Sequence, residues 1–251
     1  EKFIDSPIYE LYDLKADFNE KANLFQPAQI RTYKDYLERI IKDFSAPENT
    51  KAKYKFDRKS LEKLQSLGYL SGSHVAINKK FTKADDIKVL LPIYYKTQDA
   101  WDTYKAGKTE AAISSLQKIL AEKNKIDMAY KRLAGIYSET GRTHEALEIL
   151  EQGLEQFPSS YETFIDYLKT LNNAAKYAQV IKAIDESDFA EIDLDPELWY
   201  QLGLAYLHLR EYSQAIKAYE KTISLDSNYP EVFHNLGETY LALALKSKKR
   251  D

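Results

Sequence analysis

The sequence contains no cysteine in 251 residues, and this absence excludes several kinds of chemistry. Without cysteine there is no disulfide framework, no thiolate nucleophile and no cysteine-based zinc or iron–sulfur site. Basic residues are not in excess either, because 36 Lys and Arg face 39 Asp and Glu, for a formal net charge of −3. A nucleic-acid-binding surface needs clustered positive charge, so we expect no nucleic acid partner.

Long apolar runs are also missing. The longest candidate, over residues 89–95, is far shorter than the ~20 residues that cross a bilayer, and Pro92 interrupts it. Helix breakers are few, with 8 Gly and 7 Pro, which favours helices over a turn-rich β domain. We therefore expect a helical chain without a membrane-spanning segment.

A 34-residue repeat governs the C-terminal two-thirds of the sequence. An aromatic residue, Leu, Gly and Tyr recur at this period, in the spacing aromatic-x-x-Leu-Gly-x-x-Tyr. The matched pairs are Trp199 and Phe233, Leu202 and Leu236, Gly203 and Gly237, and Tyr206 and Tyr240. Upstream, Tyr130, Leu133 and Tyr137 keep the same spacing, with Ala134 in the place of glycine. A period of this length predicts stacked helical hairpins.

These spaced positions resemble the tetratricopeptide repeat family. In that register the repeats run over residues 93–126, 127–160, 161–195 and 196–229, followed by a final helix over 230–245. The resemblance implies an all-α fold, an α-α superhelix of helical hairpins, over residues 89–251. The third repeat departs from the pattern, because Leu168 and Val180 take the places of small residues.

The helices themselves can be placed on physical grounds. Apolar residues in the repeats recur at three- and four-residue spacing, which gives each helix one buried stripe. Small residues such as Gly203 and Ala215 are expected where two paired helices approach most closely. Asp195 before Pro196 predicts a capped helix start, and Gly141 predicts a left-handed turn after a helix. Stacked hairpins of this kind form a concave groove.

The first ninety residues follow a different pattern. Polar and apolar residues alternate between Lys2 and Leu14, which predicts one or two short strands, and a helix is predicted over residues 29–44. Residues 10–24 are similar to the end of bacterial sulfatases of the alkaline-phosphatase superfamily, with the phrase E-L-Y-D-L-x-x-D-P-x-E-x-x-N-L. Phe18 replaces the proline of that phrase.

A second phrase, L-x-x-L-x-S-L-G-Y, begins inside a short helix predicted over residues 57–67, in a linker over 51–88. It is similar to the segment that joins sulfatase-like domains to C-terminal tetratricopeptide repeats. Together the two phrases imply that residues 1–50 are the tail of a sulfatase-like domain, and that the chain is a C-terminal fragment of a bacterial fusion protein. The same resemblance implies a periplasmic or extracytoplasmic location.

Sulfatases make their nucleophile from a Cys/Ser-x-Pro-x-Arg motif, so its presence can be checked directly. Only Pro47 has Ser two residues before it, Ser45, and Asn49 stands where Arg is required. No catalytic residue is therefore predicted, and the chain as given is expected to be non-catalytic. The four histidines lack metal-ligand spacing, so neither a metal site nor a cofactor is predicted.

The resemblance implies that the first helix of each repeat lines the concave groove, through its second, fifth, sixth, ninth, twelfth and thirteenth positions. Aromatic and mixed charged side chains at such positions suit an extended peptide. The predicted partner-binding residues are Tyr94, Gln98, Trp101, Tyr104, Lys131, Arg132, Asp166, Lys169, Tyr200, Gln201, His208 and Asn235. Repeats that grip a C-terminal carboxylate use Lys, Arg and Asn. Glu162 and Asp166 stand in the third repeat here, so such a clamp is not expected.

Two functions remain open from the sequence. The first is a non-catalytic protein–protein interaction module, whose partner is a protein, a peptide or the parent's own hydrolase domain. The alternative is an integral part of a sulfatase or phosphoester hydrolase that shapes the entrance of its active site. The sequence predicts neither the identity of the partner nor the oligomeric state.

Overall fold

The computed structural model describes residues 2–6, 8–44, 83, 86–122, 126–189 and 193–248. The chain divides into two compact units, one formed by Glu1–Ser71 with Asn78–Pro92 and the other by Gly72–Ile77 with Ile93–Asp251. The helix predicted over residues 57–67, with its Leu-Gly-Tyr phrase, lies outside the described residues.

A two-stranded antiparallel sheet opens the first unit. Strand β1 covers Lys2–Ile4 and strand β2 covers Glu10–Tyr12, both within the segment where the sequence alternates. A 3-10 turn over Pro27–Gln29 leads into helix α1, Ile30–Phe44. The helix begins one residue later than predicted, because this turn takes up the residue before it.

Four aromatic rings join the sheet to α1. The ring centroids of Phe3 and Tyr33 are 5.0 Å apart, and those of Tyr9 and Phe25 are 5.3 Å apart. Aromatic pairs at these separations are favourable beyond the area that they bury. The rings therefore form a small core in a unit that has only two short strands and one described helix of its own.

A buried hydrogen-bond network fixes the start of the next helix within this unit. Helix α2 spans Ile87–Lys105, and its residue Lys88 donates a hydrogen bond to the buried carboxylate of Glu10. The hydroxyl of Tyr12 donates to the same carboxylate. Burial acts to raise the pKa of Glu10, but the hydrogen bonds from Lys88 and Tyr12 outweigh it and hold the pKa below its usual value. The ionised carboxylate thus ties β2 to the first turn of α2.

The second unit is a stack of helical hairpins, as the 34-residue period predicts. Its helices after α2 are α3 Thr109–Ala121, α4 Asp127–Glu139, α5 Thr143–Gln156, α6 Tyr161–Asn173, α7 Tyr177–Asp185, α8 Pro196–His208, α9 Tyr212–Leu225 and α10 Pro230–Lys248. The predicted fold class, an all-α superhelix, is confirmed, and the final helix runs three residues beyond its predicted end.

Helices α8 and α9 form a closely packed hairpin around one glycine. A Cβ atom placed on Gly203 would lie 2.4 Å from Cε1 and 2.6 Å from Cδ1 of the Tyr219 ring, closer than these atoms can approach. A small residue is required there, as predicted, but its neighbour is Tyr219 rather than Ala215, one turn earlier on α9. Ala215 is fully buried elsewhere in the same core.

The turns between the two helices of each repeat share a left-handed residue. Gly107 and Gly141 have φ angles of +80° and +76° in the first two repeats. Ala175 and Arg210 occupy the matching turns of the third and fourth repeats, with φ angles of +55° and +62°. A side chain in this region costs roughly 1–2 kcal/mol, so the fold imposes the turn even where glycine does not encode it.

The start of α8 is capped as the sequence predicts. Oδ1 of Asp195 accepts a hydrogen bond from the backbone N–H of Glu197 at 2.8 Å, and Pro196 is the first helical residue. Oδ2 of Asp195 also accepts a hydrogen bond from the hydroxyl of Tyr161 at 2.8 Å. One carboxylate therefore satisfies the helix start and joins it to α6.

The third repeat packs through larger side chains than its neighbours. Leu168 and Val180, which stand where small residues are usual, are both fully buried in one core with Leu198. Its second helix, α7, has nine residues, whereas α5 and α9 have 14 each. Branched side chains thus fill the space at this hairpin, and the shorter helix has fewer turns to pack.

Candidate peptide-binding groove

The first helices of the repeats, α2 from Ile93 onward with α4, α6, α8 and α10, form one face of the second unit, the groove face. Helix α4 packs on α6, α6 on α8, and α8 on α10. Helix α2 joins the series where the hydroxyl of Tyr104 donates a hydrogen bond to Oε2 of Glu139 at 2.6 Å. Side chains from successive repeats therefore lie beside one another on this face.

A cavity of about 240 Å³ opens between α4 and α6 on the groove face. Its lining residues are Lys131, Ala134, Gly135, Ser138, Glu139, Leu150, Asp166, Lys169, Thr170 and Asn173. Gly135 adds room, because a Cβ atom placed on it would have no atom within 4 Å. Three of the predicted residues, Lys131, Asp166 and Lys169, come together in this one cavity.

Carboxylates outside the cavity engage both of its lysines. Nζ of Lys131 pairs with Glu162, and Nζ of Lys169 lies 3.3 Å from Oε1 of Glu197. These pairs are partly exposed and contribute little to stability. Their consequence is electrostatic, because each lysine charge is already balanced by a carboxylate that does not line the cavity.

Asp166 is the lining carboxylate that has neither an ion pair nor a side-chain hydrogen bond among the described residues, whereas Glu139 accepts the hydrogen bond from Tyr104. Among the residues that the structure describes, no Lys, Arg or His nitrogen lies within 4.0 Å of its oxygens. Burial raises the pKa of Asp166 above its usual value, and the charges of Lys131 and Lys169 offset this only in part. Glu139 adds a second carboxylate to the lining. The cavity therefore favours a cation.

A cluster of aromatic rings and one arginine lies where α2 meets α4. The guanidinium of Arg132 stands 4.2 Å from the centroid of the Trp101 ring, and the Trp101 and Tyr104 rings are 5.2 Å apart. A cation over an indole face fixes the orientation of both groups. The structure thus groups three predicted residues into a partly exposed aromatic surface.

Two predicted residues are used inside the fold. Gln201 is 6% exposed; its amide donates a hydrogen bond to Oε1 of Glu197 at 2.8 Å and its oxygen accepts one from Nδ2 of Asn172 at 2.7 Å. The ring of His208 stacks on that of Tyr177 in α7, with centroids 4.5 Å apart. Both side chains connect helices of the stack, so neither belongs to the binding surface that we propose.

The remaining predicted residues lie on groove-face helices but do not line the cavity. Tyr94 is 40% exposed, and the amide of Gln98 donates a hydrogen bond to Oδ1 of Asp102 at 3.3 Å. Nδ2 of Asn235 donates to the hydroxyl oxygen of Tyr200 at 2.9 Å and so joins α10 to α8. These residues extend the polar and aromatic character of the face along the stack.

Three of the lining residues outside the predicted set stand at positions that the repeat register assigns to the groove. Gly135, Ser138 and Glu139 are the ninth, twelfth and thirteenth residues of α4 counted from Asp127, which are positions that the repeat pattern assigns to the groove. The register alone could have identified them. Residue type gave no reason to choose glycine or serine, because their contribution is space rather than a charged group.

Family comparisons agree with this architecture. Sequence profiles described as "Tetratricopeptide repeat" match residues 196–229 and 104–164, so the chain carries tetratricopeptide repeats. A curated relative is "Protein bimA" of Emericella nidulans, 21% identical over 178 residues, which cover 68% of this chain and 21% of that protein. The chain thus spans about a fifth of the length of this relative.

Solved structures resemble part of this fold. A crystal structure of MamA protein has a TM-score of 0.54 and 22% identity, over 62% of this chain and 85% of that chain. A second structure, of MamA from residue 41 to its end from Desulfovibrio magneticus RS-1, has a TM-score of 0.53 and 17% identity, over 59% and 84%. At such identity the likeness concerns the fold alone.

Two further properties concern the described residues only. None of the described helices is long and apolar enough to cross a membrane. Within the described ranges, no group of three or more His, Asp or Glu side chains is arranged to hold a metal ion.

Proposed function

We propose that this chain is a protein–protein interaction module that binds an extended peptide along its groove face, with a Lys or Arg side chain of the peptide in the Asp166 cavity. The observation that carries the proposal is the half-buried carboxylate of Asp166, which has no ion-pair partner among the described residues. Stacked repeats bind partners over their extended inner surface, which fits a peptide better than a compact ligand.

The chemistry of the cavity favours a basic side chain. An ammonium or guanidinium group entering it would form a charge-assisted hydrogen bond with Asp166, worth roughly 1.5–3 kcal/mol. The cavity's own lysines do not compete, because Glu162 and Glu197 already hold them. An acidic side chain would instead meet the carboxylates of Asp166 and Glu139, and like charges repel.

The aromatic cluster offers a second contact for the same peptide. Trp101 and Tyr104 supply ring area, and Tyr104 is hydrogen bonded to Glu139, a lining residue of the cavity. Large aromatic side chains carry much of the energy in protein interfaces. We therefore assign an apolar side chain of the peptide to these rings and the basic side chain to Asp166.

The test uses three fluorescently labelled peptides of equal length that differ only in a central Lys, Gln or Glu. Fluorescence anisotropy should rank their affinities in that order, and Asp166→Asn should weaken the Lys peptide about tenfold, which corresponds to ~1.4 kcal/mol. Asp185→Asn is the matched control, because Asp185 is exposed on α7 outside the groove face. Equal affinity for all three peptides would contradict the assignment of the cavity.

The proposal also predicts a pH dependence. Protonated Asp166 cannot pair with an ammonium group, so the affinity for the Lys peptide should fall as the pH drops through the pKa of Asp166. Burial raises that pKa above its usual value, so the fall begins at a higher pH than for an exposed aspartate. The Asp166→Asn variant should bind with the same affinity across this range.

The first unit favours a second candidate, a hydrolase component. Residues 10–24 carry the sulfatase-like phrase. Tyr36 and Ile40 of α1 are 65% and 47% exposed, and with Phe3 they line a cavity of about 490 Å³. Contiguous exposed apolar surface marks an interaction site. Under this proposal residues 1–50 are the tail of a sulfatase-like domain, and the repeats shape the entrance of its active site.

One measurement separates the two candidates. In a longer protein that contains this chain, turnover of an aryl sulfate is compared with and without residues 93–251. A large loss of turnover on removal of the repeats supports the hydrolase component. Unchanged turnover contradicts it and leaves the repeats as a separate binding module.

A further inference from the structure

Two side chains of opposite charge stand at the same position of consecutive repeats on the groove face. Arg132 is the sixth residue of α4, and Asp166 is the sixth residue of α6. The sixth positions of the other repeats hold the amides Gln98, Gln201 and Asn235. Each amide donates a hydrogen bond to another side chain of the fold. Arg132 and Asp166 have no side-chain partner of this kind among the described residues, so they are the open members of the series.

The guanidinium of Arg132 is available to a ligand. It rests over the indole ring of the aromatic cluster, and within the described ranges no carboxylate oxygen lies within 4.0 Å of its nitrogens. The hydrogen bond from Lys105, 2.7 Å away, lowers the pKa of Asp102, with a smaller contribution from the charge of Arg132. Glu139 accepts the hydroxyl of Tyr104. The N–H groups at the edge of the guanidinium can therefore bind a carboxylate.

The width of one helix separates the two open charges. The guanidinium lies where α2 meets α4, and the carboxylate of Asp166 lines the cavity between α4 and α6. The axes of packed helices are about 8–10 Å apart. A chain in the polyproline II conformation advances about 9 Å in three residues and presents every third side chain on the same face. Two side chains three residues apart in an extended peptide therefore match this separation.

We propose that the groove recognises a pair of opposite charges in its peptide, with an acidic side chain on Arg132 and a basic side chain, three residues away, on Asp166. This inference rests on the proposed function, which supplies the basic side chain, and adds the acidic residue and the separation. A second basic side chain would instead meet Arg132, where like charges repel. The groove thus selects its partner by the arrangement of charges rather than by their sum.

The test uses peptides with blocked ends, so that each carboxylate belongs to a side chain. Four fluorescently labelled peptides of equal length contain Glu-x-x-Lys, Lys-x-x-Glu, Gln-x-x-Lys or Gln-x-x-Gln. In fluorescence anisotropy, one of the two Glu peptides should bind about fivefold more tightly than Gln-x-x-Lys, near the upper limit for a partly exposed ion pair. The inference is overturned if neither Glu peptide gains affinity.

The same peptides separate this inference from the proposed function. If Gln-x-x-Lys binds no more tightly than Gln-x-x-Gln, Asp166 does not select a basic side chain, and the proposed function fails together with the inference. If Lys improves binding and Glu does not, only the inference fails. Moving the two charges of the favoured peptide to a separation of two or four residues should remove the gain from Glu. Equal affinity at all three separations contradicts pairing across one helix.

Arg132→Gln tests the cation itself. This variant should weaken the favoured Glu peptide about fivefold, to the affinity of Gln-x-x-Lys, and should leave the affinity for Gln-x-x-Lys unchanged, which also reports that the groove is folded. Arg142→Gln is the matched control. Arg142 also stands over a ring, 4.4 Å from the centroid of Tyr137, but it is paired with Glu145 outside the groove face. If Arg132→Gln keeps the original ratio of the two affinities, the acidic side chain binds elsewhere and the inference is overturned.

Discussion

Helices α8 and α10 carry the same residue pattern in two different environments. Both present an aromatic residue, Leu, Gly and Tyr at the same spacing. In α8 the glycine is buried beneath Tyr219, while in α10 the glycine is exposed with open space around it. Identical sequence signals therefore give a packed face in one repeat and an uncovered face in the next.

The difference shows that the burial of a repeat position depends on its neighbour rather than on its own residue. A helical hairpin cannot bury its apolar faces alone, and each repeat relies on the next helix in the stack. Helix α10 still packs its other side on α9, where Val232 and Thr239 are fully buried. None of the described residues lies within 4 Å of a Cβ atom placed on Gly237, on the exposed side of α10.

The largest expected effect comes from adding one methyl group at each glycine. Gly203→Ala places a Cβ atom 2.4 Å from the Tyr219 ring and should lower the free energy of unfolding by about 1–3 kcal/mol. Gly237→Ala meets no atom and should raise it by about 0.5–1 kcal/mol, because alanine is the better helix former. Urea unfolding, monitored by circular dichroism at a concentration where the chain is monomeric, measures both.

The two glycine variants serve as controls for each other. They change the same residue at the same repeat position, so helix propensity contributes equally to both. The difference between their free energies of unfolding therefore reports the contact between residue 203 and the Tyr219 ring. If both variants lose stability to the same extent, Gly237 is packed as closely as Gly203. Helices α8 and α10 would then not differ in how closely their glycines are packed.

A smaller effect is expected at the two helix starts. Asp195→Ala removes the cap of α8 and the hydrogen bond from Tyr161, and should lower the free energy of unfolding by about 1–2 kcal/mol. The residue before Pro230 is Tyr229, whose hydroxyl donates a single hydrogen bond to Oε2 of Glu197 at 2.8 Å. Tyr229→Phe should therefore remove only about 0.5–1.5 kcal/mol. A greater loss for Tyr229→Phe would show that α10, not α8, depends more on its first turn.

Much of the repeat architecture could be predicted from the sequence because period, capping and small residues are local signals. The start of α8 at Pro196 and the bounds of α9 follow from Asp195 and from the apolar spacing. The left-handed turns at Ala175 and Arg210 could not be predicted, since nothing in those residue types favours a positive φ. There the stacking of the repeats imposes a conformation that the local sequence disfavours.

The sequence predicted which helix face carries the candidate site, but it did not predict which of the charges there are paired. Register placed Lys131, Asp166 and Lys169 on one face, but two of these three charges are balanced by carboxylates from other helices. Which charge stays unpaired depends on side-chain reach across the stack, and no single repeat contains that information. Gln201 illustrates the same limit, because its position matches the groove pattern and yet its amide bridges two helices.

The smallest expected effect concerns the residue that covers Gly203. The hydroxyl of Tyr219 is buried and has no hydrogen-bond partner among the described residues, and the atoms of Tyr219 nearest to Gly203 belong to its ring. Tyr219→Phe keeps the ring and removes an unsatisfied polar group, and should leave the free energy of unfolding unchanged or raise it by up to about 1 kcal/mol. A strongly destabilising Tyr219→Phe would contradict this account, because the packing against Gly203 would then depend on the hydroxyl as well as on the ring.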